Sequence, residues 1–193
     1  MSKDMIEIRW HGRGGQGAKT AALLLGEAAV AAGKYVQAFP EYGPERMGAP
    51  VAAYDRIADK AITIHSPVLK PDAVLILDET LIESVDMVQG LNEKDGVLIV
   101  NTPDSVEETR KRVKWNGARL VTIDASKIAQ ANIGKPIPNT PMIGALIGAT
   151  NLLPIEAFIT DTKKKLEKKF KSKPEVIEGN LKAIRQAYEE VKK

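Results

Sequence analysis

The sequence contains no cysteine. That excludes disulfides, Cys-ligated iron–sulfur clusters, thiolate zinc sites and cysteine nucleophiles, and it fits a reducing cytoplasm. Histidine is scarce: His11 and His65 leave little material for a His-based metal site or a Ser/His triad. Neither sign of charge dominates, with 28 Lys+Arg against 25 Asp+Glu, and aromatics are only 5% of the chain. No basic patch is interleaved with aromatics, so no nucleic-acid partner is expected. No apolar run is long enough to cross a membrane; the longest is Ala-rich and interrupted by Glu27. Met1-Ser2-Lys3-Asp4 leads straight into a strand, so the expectation is a cytoplasmic protein without a signal peptide or membrane contact. At 193 residues the chain suits one domain with a real core, about 5–151, and a helical C-terminal extension, about 154–193.

The most informative stretch is Ile6-Glu7-Ile8-Arg9-Trp10-His11-Gly12-Arg13-Gly14-Gly15-Gln16-Gly17-Ala18. Ile6, Ile8 and Trp10 alternate with Glu7 and Arg9 at the period of a strand. A glycine loop follows, and then Ala18 to Ala32, rich in Ala and Leu, reads as a helix ending at Gly33. Gly12, Gly14 and Gly17 fit G-x-G-x-x-G in its strand–turn–helix context, with Gly15 as a fourth glycine. Such a loop lets an anion approach the free N–H groups and positive dipole end of the helix. Arg13 adds a cation suited to phosphate, and Gln16 either bonds the same group or caps the helix. The competing explanation is that the glycines only permit close strand–helix packing.

Along the chain, Tyr35–Phe39 reads as a second strand, with Glu41 beyond Pro40 as the candidate ribose acid of a dinucleotide site. The loop Pro40–Pro50, with three prolines and two glycines, either borders the ligand crevice or packs on a neighbour. Val51–Ile57 and Ala61–His65 read as an antiparallel hairpin, with His65 structural. The apolar runs Ala73–Leu77 and Val97–Asn101 suit strands buried on both faces, Asp78 closing the first. Thr80–Gln89, Asp104–Lys114 and Ser126–Ala131 read as helices and Arg119–Asp124 as a strand. Met142–Asn151 reads as a helix whose Gly144, Ala145, Gly148 and Ala149 suit either internal packing or a subunit contact. Two further helices, Ile155–Lys169 and Pro174 to near Lys193, follow. The basic run Lys163–Lys173 reads as a solvated face, with Leu166 and Phe170 inward. The fold class is α/β: a doubly wound, mostly parallel Rossmann-like sheet with an inserted β-hairpin and C-terminal helices.

Three separated motifs, His11–Gly17, Tyr42–Pro50 and Pro138–Ala145, resemble the gamma subunit of pyruvate:ferredoxin oxidoreductase and of the wider 2-oxoacid:ferredoxin oxidoreductases. Many members carry Arg-Gly-Gly where this chain has Arg46-Met47-Gly48. The resemblance implies a non-autonomous enzyme subunit. Its complex decarboxylates a 2-oxoacid on thiamine diphosphate with Mg2+, passes electrons through 4Fe-4S clusters to ferredoxin, and moves the acyl group to coenzyme A. Those cofactors belong to alpha, beta and delta partner subunits, while the gamma subunit helps to bind coenzyme A and covers the active-site region. Carried onto this chain, Gly12, Arg13, Gly14, Gly15, Gln16 and Gly17 are expected to hold coenzyme A phosphates. Tyr42, Gly43, Pro44, Glu45, Arg46, Asn139 and Thr140 are expected at a subunit interface or active-site loop, and no residue is assigned proton chemistry. Pyruvate is the expected acid, with 2-oxoisovalerate and 2-oxoglutarate as alternatives. A structural assembly subunit and a stand-alone nicotinamide-dependent oxidoreductase are the alternatives of another class.

Overall fold

The structure is a computed structural model that describes residues 4–41 and 48–192. In chain order its elements are β1 (Met5–Arg13), α1 (Ala18–Ala31), β2 (Tyr35–Pro40), β3 (Pro50–Ala58), β4 (Ala73–Ile76), β5 (Val97–Asn101), α2 (Val106–Val113), β6 (Arg119–Ile123), α3 (Ala125–Ile133), α4 (Asn139–Thr150), α5 (Ile155–Lys169) and α6 (Pro174–Lys192). The strands form one sheet in the order β2-β3-β1-β4-β5-β6. β1, β4, β5 and β6 pair in parallel, whereas β3 runs against both β1 and β2. The sheet is therefore mostly parallel, as expected, with one antiparallel strand inserted beside β1.

Every residue of β4 and β5 is buried, because both faces of the sheet are covered. On one face α1, α4 and α6 build the larger core around Trp10, Leu25, Ile99, Leu146 and Ile184. Thr140 to Gly148 of α4 are all buried. A Cβ on Gly144 would lie 2.2 Å from Ile184 O, and one on Gly148 2.8 Å from Tyr188 O. The small residues thus let α4 rest backbone to backbone on α6, which makes this an internal packing helix. On the other face α2 and an irregular segment close a smaller core around Val74, Ile76, Leu98 and Trp115.

Three expectations are corrected. Thr80–Gln89 is not a helix; it holds only a single 3-10 turn, Glu79–Leu81, capped by Asp78. Ala61–His65 is not a strand, and the partner of β3 is instead β2, in the register Tyr35↔Ala58. α2 begins at Val106 rather than Asp104 because Ser105 and Glu108 form a reciprocal capping box, which fixes Ser105 outside the helix.

Candidate functional site

β1 and β4 lie side by side and parallel. The chain leaving β1 enters α1 on the larger-core face, whereas the chain leaving β4 packs Leu81 and Met87 on the opposite face. Neighbouring parallel strands whose continuations part in this way leave a crevice at their carboxyl ends, where α/β sheets take ligands. The glycine loop forms one wall and Asp78–Thr80 the other.

The loop is turned by Gly15 and Gly17, whose φ angles of +100° and +85° are forbidden to most residues. A Cβ on Gly17 would also meet Asn139 Nδ2 at 2.7 Å. Asn139 begins α4, so the amino ends of α1 and α4 converge here. No side chain among the described residues caps α1. Among the described residues, no acceptor pairs with the N–H groups of Gly15, Gly17, Ala18 or Lys19. A cleft of about 490 Å³ opens over them, lined by Arg13, Gly14, Gly15, Lys19 and Glu41 among others. A Cβ on Gly15 would meet nothing within 4 Å. The cleft thus offers free backbone donors, two cationic side chains and a helix dipole, a set that fits a phosphate or pyrophosphate.

Gln16 does not cap α1. Its Oε1 accepts the backbone N–H of Arg13 at 2.7 Å, and its Nε2 donates to Asp78 Oδ2 at 2.6 Å. Arg13 is anchored by the same acid: Nε donates to Asp78 Oδ2 at 3.2 Å, one terminal nitrogen to Gly48 O at 3.1 Å, the other to Thr80 Oγ1 at 2.9 Å. Gly14 N–H donates to Ala49 O at 3.0 Å. The glycine loop, the start of β3 and the segment after β4 are therefore stitched together. Burial raises the Asp78 carboxyl, but hydrogen bonds from Thr80 and Gln16 and the Arg13 charge outweigh it and hold it below the usual carboxylate value.

Glu41 follows β2 directly and lines the same cleft. It accepts the Tyr54 hydroxyl at 2.5 Å. Burial, reinforced by Glu41, pushes the Tyr54 phenol up to about 12. Because β3 separates β2 from β1, Glu41 does not stand on the strand next to the glycine loop, as the ribose acid of a dinucleotide fold does. His11 is buried, and burial with the nearby Arg9 charge lowers it to about 4, so the ring is neutral. His65 lies exposed.

Of the residues singled out from sequence, Gly12 to Gly17 and Asn139 come together. Thr140 lies inside the fold, where its hydroxyl donates to Asn180 Oδ1 at 3.0 Å. Tyr42, Gly43, Pro44, Glu45 and Arg46 lie outside the described residues. Sequence reasoning missed Asp78, Thr80 and Lys19 as parts of the site. The available signal for Asp78 was an acid closing a buried strand run beside the glycine strand. Among the described residues no cluster of three or more His, Cys, Asp or Glu could hold a metal ion, and no helix is long and apolar enough to cross a membrane.

The profile of the family described as pyruvate ferredoxin/flavodoxin oxidoreductase matches residues 7–190. Pyruvate synthase subunit PorC of Thermotoga maritima is 51% identical over 192 residues, covering 100% of this chain and 97% of that protein. The pyruvate/ketoisovalerate oxidoreductases common subunit gamma of Pyrococcus abyssi is 49% identical over 185 residues, covering 96% of each. The crystal structure of pyruvate oxidoreductase subunit PORC from Thermotoga maritima superposes with a TM-score of 0.84 at 49% identity over 97% of each chain. A 2-oxoglutarate:ferredoxin oxidoreductase from Magnetococcus marinus, with 2-oxoglutarate, coenzyme A and succinyl-CoA bound, superposes with a TM-score of 0.75 at 20% identity. It covers 99% of this chain but only 32% of that one, a likeness of fold alone.

Proposed function

The chain belongs to the pyruvate ferredoxin/flavodoxin oxidoreductase family as a subunit of the gamma type, and we propose that it helps a pyruvate:ferredoxin oxidoreductase to bind coenzyme A. In that complex pyruvate is decarboxylated oxidatively to acetyl-CoA and ferredoxin is reduced. Alpha, beta and delta subunits are the partners, and the complex is cytoplasmic. When bound on those partners, thiamine diphosphate with Mg2+ supplies the carbanion chemistry of decarboxylation, and 4Fe-4S clusters carry the electrons. This chain has no cysteine with which to hold a cluster.

The observation that carries the proposal is the cleft itself: N–H groups at Gly15, Gly17, Ala18 and Lys19 that are unpaired among the described residues, flanked by the Arg13 and Lys19 cations. Coenzyme A brings a pyrophosphate and a ribose phosphate. The cleft suits one such group rather than the whole molecule, so sister chains hold the remainder. Arg13 and the amides fix the phosphate end, and Gln16 shapes the loop. Holding the thiol near the acyl group gives the reaction its proximity gain, with no proton transfer by this chain. Pyrococcus abyssi has a gamma subunit named as common to pyruvate and ketoisovalerate oxidoreductases. That sharing supports a role on the coenzyme A side, with the 2-oxoacid chosen elsewhere, and leaves 2-oxoisovalerate as the second substrate to assay.

Arg13→Ala in the assembled complex tests this. The expected result is a coenzyme A KM raised about tenfold, the loss of roughly one charged hydrogen bond, with the pyruvate KM little changed. An unmoved coenzyme A KM would leave the chain a structural subunit. Tight NADH binding would point to the nicotinamide alternative.

A further inference from the structure

Asp78 sits at the centre of a closed ring of hydrogen bonds. It accepts Gln16 Nε2 and Arg13 Nε on one oxygen, and the Thr80 N–H and hydroxyl on the other at 3.0 and 2.6 Å. Gln16 closes the ring by accepting the Arg13 N–H. The direction of each bond is fixed, since a carboxylate only accepts and the Gln16 amide must accept at one end and donate at the other. Arg13 lines the cleft, whereas Asp78, Gln16 and Thr80 do not. Three of the five guanidinium N–H groups are engaged by Asp78, Gly48 and Thr80, which leaves two for a ligand among the described residues.

We propose that Asp78 is a positioning residue for the phosphate cradle: it locks Arg13 and Gln16 so that the glycine loop holds its binding shape before any ligand arrives. The proposal rests on the glycine loop being the coenzyme A phosphate site. A flexible arginine on a glycine-rich turn would have to be ordered at the moment of binding, and the fixed acid removes that cost. Asp78 touches no ligand itself. Its carboxylate also neutralises part of the Arg13 charge, so an acid here would weaken anion binding if geometry were not what it supplies.

The test is steady-state kinetics on the assembled oxidoreductase. Asp78→Asn turns one acceptor into a donor, so the four incoming bonds cannot all be kept. The coenzyme A KM is expected to rise about tenfold, with the pyruvate KM and the kcat at saturating coenzyme A within about twofold. Because Asp78 acts through Arg13, Asp78→Asn added to Arg13→Ala should raise the coenzyme A KM by no more than about twofold beyond Arg13→Ala alone. Multiplying effects would overturn the proposal. An unchanged KM in Asp78→Asn alongside a raised one in Arg13→Ala would also overturn it while leaving the phosphate site standing. If neither variant moves the coenzyme A KM, the site itself falls. Should Asp78→Asn fail to assemble, Gln16→Met carries the same expectation at about threefold, and an unchanged KM there is equally fatal.

Discussion

The two faces of the sheet are covered by different means. On the larger face helices do the covering, and the core beneath them is apolar: Ile8, Trp10, Leu25, Ile143 and Ile184 are all fully buried. On the smaller face much of the cover is irregular, and buried arginines reach into it. Arg9 donates to Met87 O at 2.9 Å and to Gln89 O at 2.7 Å. Arg56, 1% exposed, bonds Glu7 of β1 at 2.8 Å, Gln37 of β2 at 3.1 Å and Ser66 O at 2.7 Å. A helix satisfies its own carbonyls, whereas an irregular segment laid on a sheet leaves carbonyls that need outside donors. The guanidinium, with five donors in one plane, supplies several at once. Charge thus does on one face what backbone regularity does on the other.

The largest expected effect breaks this comparison at Arg56. Arg56→Ala leaves the partly buried Glu7 without its cation and strips Gln37 and Ser66 of a donor, so unfolding in urea should show a loss of about 3 kcal/mol, the low end for a buried pair. That matches what Leu146→Ala should cost on the helical face, roughly 2–5 kcal/mol. A loss below about 1 kcal/mol for Arg56→Ala would mean that the irregular cover is held by something other than the arginine.

The same contrast separates what the sequence reveals from what it hides. The strands of apolar runs and the helices α1, α4, α5 and α6 follow from periodicity, propensity and punctuation, which are local. Thr80–Gln89 shows why locality fails on the other face. Leu81, Val85 and Val88 have helical spacing and do pack inward, so the pattern of burial is right while the backbone is not. Asp78 ties up the Thr80 N–H, and Arg9 takes the Met87 and Gln89 carbonyls from far along the chain. Ala61–His65 is lost in the same way, because Gln37 and Arg56 claim the carbonyls of Ile64 and Ser66. At the site the glycine loop is legible because its residues are contiguous. The Asp78 ring is not, because it joins positions more than sixty residues apart.

Asp55 on one face and His11 on the other are both buried, and the two respond to pH in opposite senses. Asp55 on the helical side accepts the Trp10 indole N–H at 2.7 Å, and burial raises its carboxyl well above 3.8. The folded state therefore holds this proton to higher pH than the unfolded chain does, so its contribution weakens as pH rises above about 4. His11 on the irregular side is lowered from 6.5 to about 4. It stays neutral when folded but protonates when unfolded, so its contribution weakens as pH falls from 6.5 toward 4. Across that window the two slopes oppose one another. Asp55→Asn should gain on the parent with rising pH, and His11→Gln should lose on it, each by up to about 1.4 kcal/mol per pH unit. Denaturation of the three proteins between pH 4 and 6.5 measures this directly. Parallel curves for parent and variant would mean that the replaced group does not titrate differently on unfolding.

The smallest effect is expected where charge is densest. Lys163, Lys164, Lys168 and Lys169 of α5 are exposed, while Leu166 and Phe170 are half-buried against the fold. Lys165 reaches Glu27 of α1 at 3.0 Å, nine residues beyond the start of that helix at Ala18. At 1.5 Å per residue this contact lies about 14 Å along the axis from the phosphate cradle. Exposed charges so separated are largely screened at physiological salt, where the Debye length is about 8 Å. Lys168→Gln should therefore leave the melting temperature within about 1 °C of the parent and the coenzyme A KM unchanged. A KM raised severalfold, and more so at low salt, would extend the anion-binding surface from the glycine loop along α1 to α5. Charge would then perform a binding task along the helical face as well as a structural one on the irregular face.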